Sequence, residues 1–353
     1  MYIAPSSAVA FASTLLCKAG LPREDASLMA ECLAQADTRG VDTHGLARLQ
    51  QYIQRLTKGL VNPTPALRLD EPTPVAAHLD GDNGFGFIVA TRAMREAVDR
   101  ARTYGIGFVT VCHSNHFGMA ATYVLQALDQ GFISLVFTNS ARQMAPFGGK
   151  ETLLGISPFA AGAPADREVP YILDMAPSVV AKGKIRRAAR RGENIPLGWA
   201  MDKDGIPTTD AEAALNGIMA PIGGPKGSGL AILMDIMSGV LSGAAYGGEV
   251  GDQYKEAKPQ NVGHSFIAIK PDVFMTSQEF RSRMDVLVQR VHAVPPAPGF
   301  DQVMFPGEPE HKLLQKRSSE GIPFADAEIK MFKSMADEFG VPLPHMSETP
   351  LNA

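Results

Sequence analysis

The 353-residue sequence is poor in cysteine: Cys17, Cys32 and Cys112 are an odd number at no metal-ligand spacing. That excludes a disulfide framework and a Cys-rich zinc module, and the thiols read as reduced, buried small hydrophobes of a cytosolic protein. No run of 18 apolar residues is free of charge, so no membrane span is expected. The apolar start, MYIAPSSAVAFASTLLCKAGL, has no basic leader and is interrupted by Lys18. It reads as a surface helix ending at Gly20 rather than a signal peptide, and the cytoplasm is the expected location. Charge of one sign is also missing: 33 basic against 37 acidic residues leave a formal charge of -4, with no positive field to hold nucleic acid.

Three nucleotide and metal signatures are absent as well. GDNGFGFIV does not complete GxGxxG, because Val89 stands where the third glycine belongs, so a standard Rossmann fingerprint is missing. PIGGPKGSG lacks the GxxxxGK[ST] spacing of a Walker A loop, and no HExxH occurs.

What is present is an ordinary globular composition, 45% hydrophobic and 20% charged, with enough chain for one large domain or two. Helical periodicity runs from Ser6 to Leu56, stopping first at Gly20-Leu21-Pro22 and resuming from about Arg23 to Ala36. In RGVDTHGLARLQQYIQRL, Asp42 or Thr43 can cap a third helix with Leu46, Leu49, Ile53 and Leu56 as its core stripe and His44, Arg48 and Tyr52 on another face. The proline-rich VNPTPALRLDEPTPV reads as an extended linker. Beyond it, strand-like VAAHLD, GFVTV, ISLVFT, YILDMA and SFIAIK alternate with helical stretches such as Ile88 to Tyr104 and Gly229 to Leu241. Helices resume from about Glu308 to Ser319 and Phe324 to Phe339 and can pack back on the N-terminal ones. The expected organisation is a helical domain over 1–75, an α/β domain over 76–293 and a returning segment over 294–353.

Several segments can carry chemistry. His44 and Arg48, four apart on the expected helix, would share a face: an imidazole suited to exchanging an alkoxide proton beside a guanidinium suited to a carboxylate. In CHSNHFGMAATY, His113, Asn115 and His116 follow a strand and precede a helix, with Gly118, Ala120 and Ala121 small enough for a cofactor to approach. FTNSARQMAPFGGKETLLGISPFAAGAP reads as a long ordered loop in which Asn139 and Ser140 can bond ribose or amide groups. Asp174 ends an apolar strand before the bases Lys182, Lys184, Arg186, Arg187, Arg190 and Arg191, which suit phosphates or form a wet helix face. GGPKGSG places Lys226 among glycines at a helix start, an anion-binding geometry or a structural turn.

Taken together, RGVDTHGLARL, SNHFG, TNS with MAPFGG, LGISPFA, LDMAPSVVAKGKI, IPLGWAMDKDG and GGPKGSGLA resemble the malate/L-lactate dehydrogenase family of the second type, with FPGEPE a weaker echo. That family also holds ureidoglycolate, sulfolactate and diketogulonate oxidoreductases and cyclic imine reductases. The resemblance implies an α/β, non-Rossmann fold with a predominantly antiparallel central sheet wrapped by helices and a helical domain built from both chain ends. It also implies a homodimer, NAD or NADP as cofactor, and a small organic acid as substrate. It gives His44 or His116 the proton-exchange role, Thr43 and Arg48 the substrate contacts, and Asp174 a catalytic or orienting part. Cofactor contacts would come from His116, Phe117, Gly118, Met119, Ala120, Ser140, Asp174, Met175, Ala176, Lys182, Lys226, Pro306, Gly307 and Glu308.

Imine-reducing members carry Ser and Asp where this chain has Thr43 and Lys184, which favours a 2-hydroxy or 2-oxo acid over the alternative of a piperideine- or pyrroline-2-carboxylate. Two other classes compete: metal-assisted hydrolysis on His44, His113, His116 and Asp174, and a dinucleotide sensor without turnover.

Overall fold

The computed structural model describes residues 1–254 and 258–352. Helix Pro5–Lys18 begins on the pre-set backbone of Pro5 and buries Ala8, Phe11, Ala12, Leu15 and Leu16, a three- and four-residue stripe. Helix Arg23–Thr38 has Glu24 and Asp25 in its first turn, where negative charge suits the helix dipole. The first packs against helix Asp326–Phe339 and the second against helix Glu308–Glu320, both from the other end of the chain. Phe332 stands edge-on to Phe11 and to Phe324, with ring centroids 5.7 and 5.1 Å apart. Strand Tyr2–Ile3 pairs antiparallel with Ile322–Pro323, so the two termini share one core.

A seven-stranded sheet forms the second layer, in the order Arg68–Thr73, Ala76–Asp80, Ile106–Ser114, Val262–Ile269, Ile133–Thr138, Phe159–Ala163, Tyr171–Met175. Ala76–Asp80 and Ile106–Ser114 run parallel, as the covering helix Gly86–Tyr104 between them requires. Every other neighbouring pair in this sheet is antiparallel. That helix lays Val89, Ala90, Ala93, Ala97 and Ala101 on the strands. It comes so close that a Cβ at Gly107 would fall 1.9 Å from the Ala97 carbonyl oxygen. A smaller five-stranded sheet, Pro207–Thr208, Ala200–Met201, Ile218–Met219, Arg142–Met144 and Leu154–Gly155, carries its own core of Met144, Leu154, Ile185, Ala200 and Met219.

Two expectations are corrected. The proline-rich segment is not only a linker: residues Arg68–Thr73 form an edge strand whose partner, Ala76–Asp80, sits deeper in the sheet, and Pro72 is tolerated because an edge leaves its missing N–H uncalled for. The Gly- and Pro-rich stretch after Phe137 is mostly loop, as expected, but not only loop: it also supplies strands Arg142–Met144, Leu154–Gly155 and Phe159–Ala163. Among the described residues no helix is long and apolar enough to cross a membrane.

Candidate active site

The third helix does not start at Asp42. Asp42–His44 and Leu46–Arg48 are single 3-10 turns separated by extended Gly45, and the α-helix runs only over Leu49–Thr57. The cause is tertiary. The buried Asp37 carboxylate, whose pKa burial pushes well up, accepts the Leu46 N–H at 2.8 Å. A Cβ at residue 45 would stand 1.8 Å from Asp37 Oδ1, so only glycine lets the chain press this closely. Arg317 ties the same corner down by donating to the Asp37 carbonyl and the Asp42 carboxylate. His44 and Arg48 are therefore not stacked on one helical turn, as their spacing suggested. They are gathered because Arg48 Nε donates to the Thr43 carbonyl across the kink.

This kink faces the loop after strand Ile106–Ser114. The His44 and His116 rings lie nearly parallel, 5.7 Å apart and 14° from coplanar. Tyr52, buried on helix Leu49–Thr57, places its hydroxyl 2.9 Å from His116 Nδ1, and the Gly118 N–H donates to the same nitrogen at 3.2 Å. A backbone N–H can only donate, so Nδ1 is the acceptor and the proton of neutral His116 sits on Nε2. Gln260 Oε1 accepts the His116 N–H, and His264, stacked flat on Phe117 at 4.6 Å, closes the wall behind. His44 Nδ1 is 2.9 Å from the Thr43 hydroxyl.

Burial and the Arg48 charge act in one direction on both imidazoles. Desolvation first, then Arg48, lowers His44 to about 3, and the same two causes, with His44 and His264 adding, hold His116 well below its usual value. Both rings are partly open to solvent but surrounded by protein, and at neutral pH both are uncharged bases. Arg48 Nη1 is buried and has no hydrogen-bond partner among the described residues. A buried, unpaired guanidinium nitrogen is costly, and an anion is its natural complement.

The other candidates fall around this pair. Met119 and Ala120 are buried ahead of helix Ala121–Leu128, whose first N–H, Ala121, donates to Asp174 Oδ2 at 2.8 Å. Asp174 thus anchors that helix, and no hydrogen bond joins it to His44 or His116 among the described residues. Its pKa is raised to about 6, chiefly by desolvation and also by Glu310, against the Ala121 N–H and Arg39. Met175 and Ala176 continue from the strand into a turn that meets the glycine-rich segment, where Ile222 N–H donates to the Pro177 carbonyl at 2.8 Å. Lys226, exposed, lies in the first turn of helix Pro225–Asp235 after Gly223 and Gly224, both with left-handed φ. Lys182 opens helix Lys182–Arg191, and at the next residue a Cβ on Gly183 would be 3.2 Å from the Thr43 methyl, so this basic helix abuts the corner that carries Thr43 and His44. Ser140 Oγ is buried without a partner among the described residues.

Pro306 and Gly307 pack on Ile172. Glu308, however, offers no free carboxylate: His292, Lys312 and the Phe305 N–H all donate to it, and despite burial they bring its pKa down to about 2. It shapes the turn. Asn139 is likewise spent, bonded to Ala245, Asp235 and Gly263, rather than available to a ribose.

The donors of the hydrolytic alternative do not converge. His113 turns away to Asp80, and Asp174 is held by Ala121, which leaves only His44 and His116 side by side. Two further residues border the site without a sequence signal of their own. Nothing in the spacing of Tyr52 marks its contact with His116, which arises only on folding. Arg39, buried with Nε and Nη2 unpartnered among the described residues, feels both Asp174 and Glu310.

A dinucleotide fits what is present: a helix start with two left-handed glycines and a lysine, an orphaned Ser140 hydroxyl, and small residues before the Ala121 helix. A family model described as malate/L-lactate dehydrogenase matches residues 3–333. The chain belongs to that family, and with it to the oxidoreductases. The L-sulfolactate dehydrogenase of Methanocaldococcus jannaschii is 38% identical over 345 residues, 97% of this chain and 98% of that protein. A solved structure of sulfolactate dehydrogenase from that organism superposes with a TM-score of 0.91 at 37% identity, covering 97% of this chain and 98% of that one. The ureidoglycolate dehydrogenase (NAD(+)) of Escherichia coli is 38% identical over 312 residues, 88% of this chain and 89% of that protein. A solved delta1-piperideine-2-carboxylate reductase from Pseudomonas syringae pvar. tomato gives a TM-score of 0.86 at 28% identity, covering 95% of this chain and all of that one.

Proposed function

We propose that this malate/L-lactate dehydrogenase family member is an NAD- or NADP-dependent dehydrogenase acting on a small 2-hydroxy or 2-oxo acid, with Arg48 gripping the substrate carboxylate. The observation that carries the reading is the buried, unpartnered Arg48 Nη1 beside two imidazoles held neutral. The nicotinamide, when bound, supplies and accepts the hydride. Thr43, with the Lys182 helix at its side, narrows the substrate end, and Ser140, Lys182, Lys226 and the segments 116–120, 174–176 and 306–308 would hold the dinucleotide. The mostly antiparallel sheet would stand in for a Rossmann sheet, with domains over 1–75, 76–293 and 294–353.

Charge balance makes the site substrate-responsive. A carboxylate on Arg48 cancels the cation that depresses both rings, so binding raises the basicity of His44 and His116 as the substrate hydroxyl arrives. A neutral imidazole accepts that proton during oxidation and returns it to the new alkoxide during reduction. His116, whose Nδ1 is filled by Tyr52 and Gly118 and whose proton sits on Nε2, would donate a hydrogen bond from Nε2 to the substrate oxygen and could take up a proton only by turning away from those donors. His44, with Nδ1 towards the Thr43 hydroxyl, would exchange the proton through Nε2. His44 is steadied by the Thr43 hydroxyl, not by a carboxylate, and this favours an oxo acid over a cyclic imine, whose reduction calls for a charged proton relay.

We further assign a homodimer, supported by the exposed apolar side chains Ile232, Leu233, Ile236, Val240 and Leu241 beside the Lys226 helix, a patch uncommon on free surfaces. The three unpaired cysteines suit a cytoplasmic setting.

The test is absorbance of the reduced nicotinamide across 2-oxo acids and cyclic imines with each reduced cofactor. His44→Ala and His116→Ala are run separately on the best substrate. Loss of the proton-exchange group should cost about 10² to 10⁴ in rate. Near-wild-type turnover in both variants, or turnover of imines alone, would overturn the reading.

A further inference from the structure

At the same end of strand Ile106–Ser114, a few residues before His116, a second group of donors converges. Asp80 and Cys112 are register partners on the parallel strands Ala76–Asp80 and Ile106–Ser114. Their carboxylate and thiol, with the imidazole of His113, place one ligand atom each within 4.8 Å of one another, and no other such trio occurs among the described residues. His113 Nδ1 is 3.0 Å from Asp80 Oδ1 and 3.5 Å from Cys112 Sγ. A tetrahedral zinc ion with bonds of about 2.3 Å to sulfur and about 2.0 Å to nitrogen and oxygen spaces its ligands roughly 3.3 to 3.5 Å apart. The Cys112–His113 edge falls in that range and the His113–Asp80 edge just below it, so a small opening of the cluster would seat the ion.

Two features make this more than a chance meeting of polar groups. His113 has a left-handed φ of 50°, unusual for a residue with a Cβ, and its N–H is held by Asn261 Oδ1 at 3.2 Å. The strained backbone turns the imidazole back over the strand ends instead of out along the chain. Behind the sulfur, His78 Nε2 lies 3.3 Å from Cys112 Sγ while its Nδ1 meets Thr110 Oγ1 at 2.9 Å, the posture of a residue that orients a metal-bound thiolate. On the open side a cavity of about 290 Å³, lined by Arg68, Asp82, Asn83, His113 and Asn261 among others, gives an entry path and room for a solvent ligand.

We propose that Asp80, Cys112 and His113 form a binding site for zinc or a similar borderline-soft divalent cation, with His78 as its positioning residue. Thiolate and imidazole donors select such a metal over calcium or magnesium. Binding releases the Cys112 proton to solvent, and the resulting thiolate and the Asp80 carboxylate neutralise the dication. Arg68, mostly exposed, holds the other Asp80 oxygen at 2.8 Å and can stay there or swing into water. The Asp82 carboxylate is engaged by Asn62 and the Ala66 N–H and stays outside the ligand set. The ion would clamp two parallel strands just ahead of the loop that carries His116.

The test uses full-length protein cleared with a chelator and titrated with Zn²⁺ and, separately, Co²⁺. We expect one Zn²⁺ per chain, and with Co²⁺ a thiolate-to-metal charge-transfer absorption that vanishes in Cys112→Ser and persists in Cys17→Ser. His113→Asn, which tolerates the left-handed backbone, should weaken Zn²⁺ binding by more than the roughly 10- to 100-fold expected of the positioning variant His78→Gln. Should Cys112→Ser not fold, His113→Asn decides. No Zn²⁺ uptake by the wild type, or uptake unchanged in His113→Asn, overturns the site. Because none of these readouts involves turnover, its failure leaves the dehydrogenase reading untouched.

Discussion

His113, at the end of strand Ile106–Ser114, and His116, on the loop that follows, stand three residues apart in opposite electrostatic company. His116 shares its surroundings with a cation, Arg48, and a second imidazole, and is buried enough that a proton is driven off. His113 leans on a carboxylate, Asp80, whose pKa is brought to about 2, against the pull of burial, by the Asp82 N–H, by His113 and by Arg68. The difference shows how one strand end can serve two chemistries. Like charge around an imidazole keeps it neutral; opposite charge ties it into a fixed cluster suited to a cation.

Arg48 is where this contrast breaks most readily. Arg48→Gln removes both the proposed substrate anchor and the charge that depresses the two rings. Truncating one partner of a buried charge pair costs roughly 2 to 5 kcal/mol, so kcat/KM for an oxo acid should fall about 30- to several-thousand-fold, mostly through KM. The same variant should move the acid limb of the kcat/KM profile to higher pH, because the free imidazoles regain basicity. A variant with raised KM and an unmoved acid limb would show that Arg48 binds substrate without tuning either histidine.

Tyr52→Phe is a finer cut. It deletes one donor to His116 Nδ1 and leaves the Gly118 N–H in place, so the tautomer survives and the ring is less firmly aimed. A single such bond is worth about 0.5 to 1.5 kcal/mol, which puts the expected loss in kcat at roughly 2- to 12-fold with KM little changed. Wild-type kcat would mean that Gly118 alone orients the ring.

These residues also mark what the sequence made legible. Long periodic helices were readable because burial repeats every three to four residues: Arg23–Thr38 and Glu308–Glu320 lie within two residues of expectation. Pro5–Lys18 stops where Gly20 said it would. The strand runs were readable too, but the insertion of Val262–Ile269 between Ile106–Ser114 and Ile133–Thr138 was not, since pairing across more than a hundred residues leaves no local mark. His44 and Arg48 were singled out on a helical spacing the protein does not use; the kink is imposed by Asp37, whose acidic side chain in an apolar helix stripe was the available clue. The Tyr52 contact with His116 and the register of Asp80 with Cys112 arise only on folding, although the alternation in VAAHLD beside a strand ending in Cys-His hinted at the second.

The last expected effect is on stability, and it separates the buried histidines from the Asp80 cluster by pH window. His264, fully buried between Thr138 and Ser114, is lowered to about 3 by desolvation, as His44 is by desolvation and Arg48. In the unfolded chain these rings take up a proton near pH 6.5, while the native rings stay neutral until far lower. The unfolded state therefore binds more protons between about 6.5 and 3, so stability from these groups is complete above 6.5 and is lost progressively as pH falls through that range. For Asp80 the sign is the same but the window is lower: its contribution is present above about 3.9 and lost as pH drops towards 2. Calorimetric melting from pH 7.5 to 5 should then show a falling Tm whose slope is reduced in His264→Gln and unchanged in Asp80→Asn. One fully buried ring accounts for at most about 1.4 kcal/mol per pH unit. An Asp80→Asn protein that flattened this range would mean that the cluster around His113, and not the buried neutral rings, governs acid sensitivity.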